Sequence, residues 1–417
     1  MTQPIFRDKN FEMMFRLSRT RVQRIFEDVM NSHHPFYACQ SDAAGKKGAS
    51  LEAKILLPLK TCAYGTAEHP FSDYFQLSAA LASKCCEEFA IMMRQVYGEE
   101  YLHIPDENDI NNITQLHHEV HGVRGMFGSL DCMHTRWKNC PKAWQQSYQS
   151  GKESGGPTVV LEALGDHHLW FWHASFGYAG SLNDLNILNR SPLLESLVDG
   201  SFAKLEERAS VVPFDIGGEQ FNRLFTLVDG IYPQYSRFVK GIKVPITASE
   251  KAFTEWQEAA RKDIERAFGV LQSRFQIVAR PFHAHSLIKI SNTVAACLIM
   301  HNMCVSDRVM DGNVYAIYDP AHNVAEQATL ELDMIAVEET NRNFARGENE
   351  HEGSTNGSMH TTTFQEYAAP TIGLGNAGNE FVVQHMLARQ DNWKELNDRY
   401  EHARLHAALK RVKGGET

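Results

Sequence analysis

The sequence predicts a mixed α/β protein in which a helical N-terminal region precedes a sheet of five strands flanked by helices. Three observations lead there. Apolar residues recur at helical spacing through the first hundred positions. Beyond residue 117 the pattern turns to short runs rich in β-branched and aromatic residues. A long amphipathic stretch from Ser249 to about Phe275 then returns to the helical period.

In order, "TRVQRIFEDVM", "LEAKILLPLKTCAYG" and "SAALASKCCEEFAIMMRQVYG" read as helices, the last capped by Ser78. The stretch "FSDYFQLSAALASKCC" fits either a helix-turn-helix or plain helical packing. Its second helix carries Lys84 and Arg94 but also Glu87 and Glu88, a poor composition for gripping phosphates. "HIPDENDINNITQ" reads as a polar link. "MFGSLDCMH" is a first strand, and "PTVVLEALGDHHLWFWHASFGY" gives two more joined at Gly165–Asp166. "GSLNDLNILNRSPLLESL" reads as helical, capped by Asn183 or Asp184. "RLFTLVDG" is a fourth strand, "SRFVKGIKV" a fifth, and "SLIKISNTVAACLIMHNMC" a helix after the long one. The expected division is a helical region 1–116, a sheet domain 117–308, an acidic and polar linker 309–378, and a C-terminal helix 379–417.

The 417 residues are 43% hydrophobic and 22% charged, ordinary for a globular chain. No apolar run reaches the roughly 18 residues that span a bilayer, so no membrane partner is expected. The N-terminus lacks a secretory apolar core. The eight cysteines lack dense spacing and are read as reduced thiols of an intracellular protein. A net charge of −10 argues against nucleic acid only on average. Residues 311–352 hold ten acidic residues and two arginines, whereas 237–289 hold ten Lys and Arg against five acids. A basic face beside an acidic segment is therefore open.

Four acids stand where strands end or helices begin: Asp131 in the first strand, Asp184 opening a helix, Asp229 closing the fourth strand, and Glu265 mid-helix. If the first and fourth strands are neighbours, Asp131 and Asp229 approach each other, and a helix packed on the sheet brings Glu265 over them. Crowded carboxylates raise one another's pKa unless a cation offsets them. Mg²⁺ takes hard oxygen ligands and keeps waters for a phosphate to displace. Two such ions can bind the attacking and leaving oxygens of a phosphoryl displacement. The plainer readings are a turn-forming Asp229, a capping Asp184, and a Glu265 paired with Arg261 one turn earlier. Cys132, His134 and Cys140 lack the second ligand pair of a zinc site. Trp170 and Trp172 suit a core better than a base-stacking platform.

Residues 122–308 resemble the DDE domain of PIF/Harbinger transposases, in the plant transposon protein branch. The resemblance lies in "GVRGMFGSLDCMHTRWKNCPKAW", "TVVLEALGDHHLWFWHASFGYAGSLNDLNILNRSPL", "LVDGIYPQYSRFVKGI", "EAARKDIERAFGVLQSRFQIVARP" and "CLIMHNM", in family order. It implies an RNase H-like fold with Asp131, Asp229 and Glu265 as the catalytic triad and Asp184 as a further metal-site acid. On this reading Gly230 frees the backbone to leave the strand. The implied activity is metal-dependent cleavage and joining of DNA at transposon ends with Mg²⁺ or Mn²⁺. The implied partners are terminal-repeat DNA, a separate Myb/SANT-like DNA-binding protein and a homo-oligomer, in the nucleus. Arg261, Lys262, Arg266 and Lys240 are the candidate phosphate contacts. Thr135 and Arg136 depart from the aromatic and acidic residues usual in relatives, which puts substrate contacts there in doubt. The recurring His301–Asn302 pair has no role that the sequence explains. A domesticated protein that binds DNA or a Myb-like partner without cutting is the rival reading, and a metal phosphatase on a similar sheet is a third.

Overall fold

In the computed structural model, the structure describes residues 7–38, 48–150, 156–311, 362–363 and 378–415. The expected acidic linker lies almost entirely outside the described residues.

Six helices come first: α1 (Asp8–Phe15), α2 (Arg19–Asn31), α3 (Leu51–Tyr64), α4 (His69–Phe75), α5 (Ala79–Tyr101) and α6 (Glu107–His121). Serines cap three of them, with Ser18, Ser50 and Ser78 accepting from the backbone amides of Arg21, Ala53 and Leu81. Gly65 ends α3 at φ +60°, and a Cβ there would meet the Gln276 backbone at 2.5 Å. The link expected at "HIPDENDINNITQ" is instead mostly helix. Asp106 and Asp109 form a capping box that starts α6, and Ile110 and Ile113 bury its apolar face, so polar composition misled the reading. The expected boundary at residue 116 falls inside this helix. Although α4 and α5 follow one another across a short turn, Phe89, Met92, Met93 and Tyr97 of α5 are buried in the main core.

The sheet strands are β1 (Met126–Arg136), β2 (Thr158–Gly165), β3 (Phe171–Ala179), β6 (Phe225–Leu227) and β7 (Phe238–Val239), with β8 (Thr362–Thr363) at one edge. Their order is β7-β6-β1-β2-β3-β8. β1, β2 and β3 are antiparallel neighbours, whereas β6 and β7 run parallel to β1. This mixed sheet, with β8 added to the five expected strands, is of the α/β class and consistent with an RNase H-like domain. Between β1 and β2 lies α7 (Lys142–Tyr148), and α8 (Asp184–Leu188), α9 (Pro192–Asp199) and α10 (Ser201–Arg208) follow β3. A hairpin of β4 (Phe214–Ile216) and β5 (Glu219–Phe221) was missed; its signal is Gly217–Gly218, both at positive φ.

Three further helices follow: α11 (Ala248–Arg274), α12 (Gln276–Ala279) and α13 (Leu287–Met310). A Thr247–Glu250 capping box starts α11, and its Ala260, Ile264, Ala267 and Leu271 are buried. By length and composition α13 could cross a bilayer, but 72% of its apolar window is buried inside the protein, as in a core helix. The expected single C-terminal helix is two, α14 (Gly378–Leu396) and α15 (Arg399–Gly414). Asp398 separates them because its side chain accepts from the amides of Tyr400 and Glu401. Leu405, Ala408 and Leu409 of α15 join the core around β6.

The structure supplies the missing account of His301–Asn302. Asn302 Oδ1 accepts from Phe171 N at 3.0 Å, while its Nδ2 donates to the carbonyls of Tyr101 (2.7 Å) and Phe171 (3.0 Å). His301 Nε2 lies 2.8 Å from the Leu169 carbonyl. The pair thus ties α13 to α5 and the start of β3, satisfying backbone groups that would otherwise be orphaned. Burial, then the charge of Arg274, lowers His301 to a pKa of about 3. Its unfolded value near 6.5 is higher, so between about pH 3 and 6.5 the unfolded chain binds more protons, and stability falls on acidification. At pH 5 this residue alone removes about 2 kcal/mol. Urea titrations at pH 7 and 5 are expected to show a smaller pH dependence for His301→Gln than for the wild type.

Candidate active site

Alternation along β1 sends Ser129, Asp131 and Thr135 to one face and Leu130, Cys132 and His134 to the other. On the first face Ser129 Oγ reaches the Ala260 carbonyl of α11 at 3.5 Å and Thr135 Oγ1 donates to the Val278 carbonyl at 3.2 Å. Thr135 is buried and spent on this contact. Asp131 is the polar centre of the face. Its Oδ1 accepts from Cys132 N at 2.8 Å and its Oδ2 from Arg261 Nη1 at 3.2 Å. Arg261 also reaches Glu265, with Nη2 2.9 Å from Oε1, so one guanidinium joins the two acids across the strand–helix interface. The i,i+4 pairing considered from the sequence is present, and Arg261 makes it while holding Asp131 as well.

Asp184 is the buried first residue of α8. The cap is Asn183, which accepts from Asn186 N, so Asp184 is not spent as the capping side chain. Its charge reaches Asp131. Burial raises the Asp131 carboxyl to about 6, the Cys132 amide and Arg261 oppose this, and the charges of Asp184 and Glu265 add to it. Two of the three acids share one arginine. Hard carboxylate oxygens suit a divalent cation by chemistry, although among the described residues these acids lack the spacing that can hold one.

Asp229 follows β6 and is exposed. Ser129 pairs with Leu227 as the last pair of the parallel ladder, and Asp131 and Asp229 each lie two residues beyond it, Asp131 still in β1 and Asp229 in the turn after β6. The Asp229 carbonyl accepts from Tyr232 N at 3.1 Å, closing a turn. Its charge acts on Lys240, whose ammonium is pushed down by burial and held up by Asp229. The expectation for Gly230 is corrected: it is not among the positive-φ glycines, and nothing lies within 4 Å of a Cβ built there.

The candidate phosphate contacts divide. Lys262 is exposed. Lys240 Nζ donates to the Tyr232 carbonyl at 2.8 Å, near Asp229. Arg261 is engaged with the acids. Arg266 pairs with the buried Asp263, which aims it at an ion pair within the fold. Cys132 Sγ lies 3.7 Å from the Tyr232 hydroxyl, His134 Nδ1 lies 3.1 Å from Thr158 Oγ1, and Cys140 bonds the Pro141 carbonyl, so these three have separate surroundings.

Sequence reading missed a second polar centre. His117 and His121, one turn apart on α6, meet Asp263 of α11, with one ligating atom from each within 4.8 Å of the others. Among the described residues this cluster, not the expected acids, has the spacing that can hold a metal ion. The signal was the His-x-x-x-His spacing just after the segment read as a polar link.

With this geometry in view, the comparisons decide the family. The description "Plant transposon protein" matches residues 99–311, just over half of the chain. The chain belongs to the plant transposon protein family. Within that family, "Putative nuclease HARBI1" of Mus musculus is 25% identical over 272 residues, covering 64% of this chain and 70% of the relative. Its Bos taurus counterpart is 24% identical over 305 residues, covering 70% and 80%. "Protein ALP1-like" of Arabidopsis thaliana is 20% identical over 316 residues, covering 73% of each. No solved structure matches. The family match, residues 99–311, spans both polar centres.

Proposed function

We propose that this plant transposon protein is a divalent-metal-dependent DNA endonuclease of the PIF/Harbinger transposase type. One observation carries the reading: Asp131 on β1 and Glu265 on α11 share a single guanidinium, and the charge of Asp184 reaches Asp131 as well. Asp131, Asp229 and Glu265, with Asp184 behind them, would hold Mg²⁺ or Mn²⁺. Such ions would supply neutralisation of phosphate charge and activation of a water or a DNA 3′-hydroxyl.

The chain's own residues prepare that site. The Cys132 amide fixes one oxygen of Asp131, leaving the other to Arg261. Arg261 keeps Asp131 and Glu265 convergent against their mutual repulsion. Lys240, beside Asp229, and the exposed Lys262 give phosphate contacts at the carboxyl ends of the parallel strands. The family reading extends to transposon terminal repeats as substrate, a Myb/SANT-like DNA-binding partner, assembly with further copies, and action in the nucleus. It also extends to a helix-turn-helix role for α4 and α5.

The Arg261 bridge favours a second reading, in which the guanidinium locks the acids and the protein binds DNA without cutting. Nicking of supercoiled plasmid in Mn²⁺ separates the two. Cleavage by the wild type, lost in Asp229→Ala and Glu265→Gln, is expected. Equal activity in all three would remove the proposed site, whereas nicking that emerges only in Arg261→Gln would show the locked form.

A further inference from the structure

We infer that the His117–His121–Asp263 cluster is a zinc site, distinct from the acids of the nuclease reading, that fastens α6 to α11. The inference stands whether or not the chain cuts DNA.

The donor set suits zinc: two imidazoles and one carboxylate with a position left for water. His121 Nε2 and His167 Nδ1 each lie 3.0 Å from Asp263 Oδ2. Around an ion bound at about 2.0–2.1 Å, tetrahedral ligand atoms stand about 3.3 Å apart, and the His121–Asp263 pair is already close to that spacing. His117 Nδ1 lies 3.0 Å from the Met126 carbonyl, the backbone partner that orients a ligating imidazole through its other nitrogen. That other nitrogen, Nε2, accepts from the His167 amide at 3.2 Å, and this is the bond the ion displaces. His167 is the positioning residue, holding Asp263 Oδ2 from the β2–β3 turn, while Arg266 pairs with Oδ1.

Burial keeps the ligands ready. Asp263 is fully buried. His121 and His167 keep 11% and 12% side-chain exposure, an entry path for the ion. Asp263 lies two residues from Glu265 on α11, so an ion here would fix the rotation and register of the helix that carries Arg261 and Glu265.

The test uses the full chain, stripped with chelator, reloaded with zinc alone and passed through gel filtration. One retained equivalent by mass spectrometry of the metal is expected, with a melting temperature several degrees higher. His121→Gln and Asp263→Asn are expected to lose that equivalent, and Asp131→Asn to keep it. Cobalt substituted into the wild type is expected to give tetrahedral visible bands without thiolate charge-transfer absorption, a readout that needs no variant to fold. No retained zinc in the wild type, an undiminished equivalent in His121→Gln, loss in Asp131→Asn, or a thiolate band would each overturn the inference.

Discussion

Asp131→Asn is expected to reduce Mn²⁺-dependent plasmid nicking about 10³-fold or more without unfolding the chain. The substitution keeps the shape of the side chain and its contact with the Cys132 amide. It removes the charge of an acid that burial, Asp184 and Glu265 all disfavour as a carboxylate. The metal-free variant is therefore expected to melt at or above the wild-type temperature, because Arg261 keeps Glu265 as a partner. Stability and activity moving in opposite directions would mark a site whose strain serves ion binding. A parallel fall in both, followed by thermal melting and the nicking assay on the same preparation, would make Asp131 a structural residue instead.

Arg237→Met is expected to lower the unfolding free energy by about 3 kcal/mol, the low end for a buried carboxylate losing its main cation, because Arg223 stays 4.0 Å from Glu206. Glu206 is fully buried, and its Oε1 accepts from Arg237 Nη1 at 2.5 Å and from Leu224 N at 2.8 Å. Burial raises the Glu206 carboxyl, and Arg237 is the main force opposing that rise. The pair has a functional position. Leu224 immediately precedes β6 and Arg237 immediately precedes β7, so this contact sets the two short strands after which Asp229 and Lys240 follow. Urea denaturation measures the loss. The double substitution Glu206→Gln with Arg237→Met is expected to recover part of it, since no uncompensated charge then remains. A single-variant loss below about 1 kcal/mol would mean that solvent reaches Glu206.

Much of the fold was legible because its signals are local. Alternation over 126–136, the apolar runs of β2 and β3, the Ser78 cap and the Thr247–Glu250 opening of α11 each depend on neighbours in sequence. The reading failed where composition and structure diverge. "DENDINNITQ" is polar, yet its acids cap a helix and its two isoleucines face inward. The hairpin at Gly217–Gly218 has strands of only three residues, too short to show a period.

By itself the sequence determined which acids stand at strand ends and on the long helix, because periodicity and turn chemistry assign each residue a face. The tertiary structure alone decided which charges meet. Arg261 could have answered only Glu265 on its own helix, but packing of α11 on β1 brings Asp131 to the same guanidinium. β6 comes beside β1 through a parallel ladder that no local pattern encodes. His117, His121 and Asp263 converge only when α6 and α11 share one end of the sheet. Such meetings follow from the burial of apolar faces at long sequence range, and spacing along the chain carries no record of them.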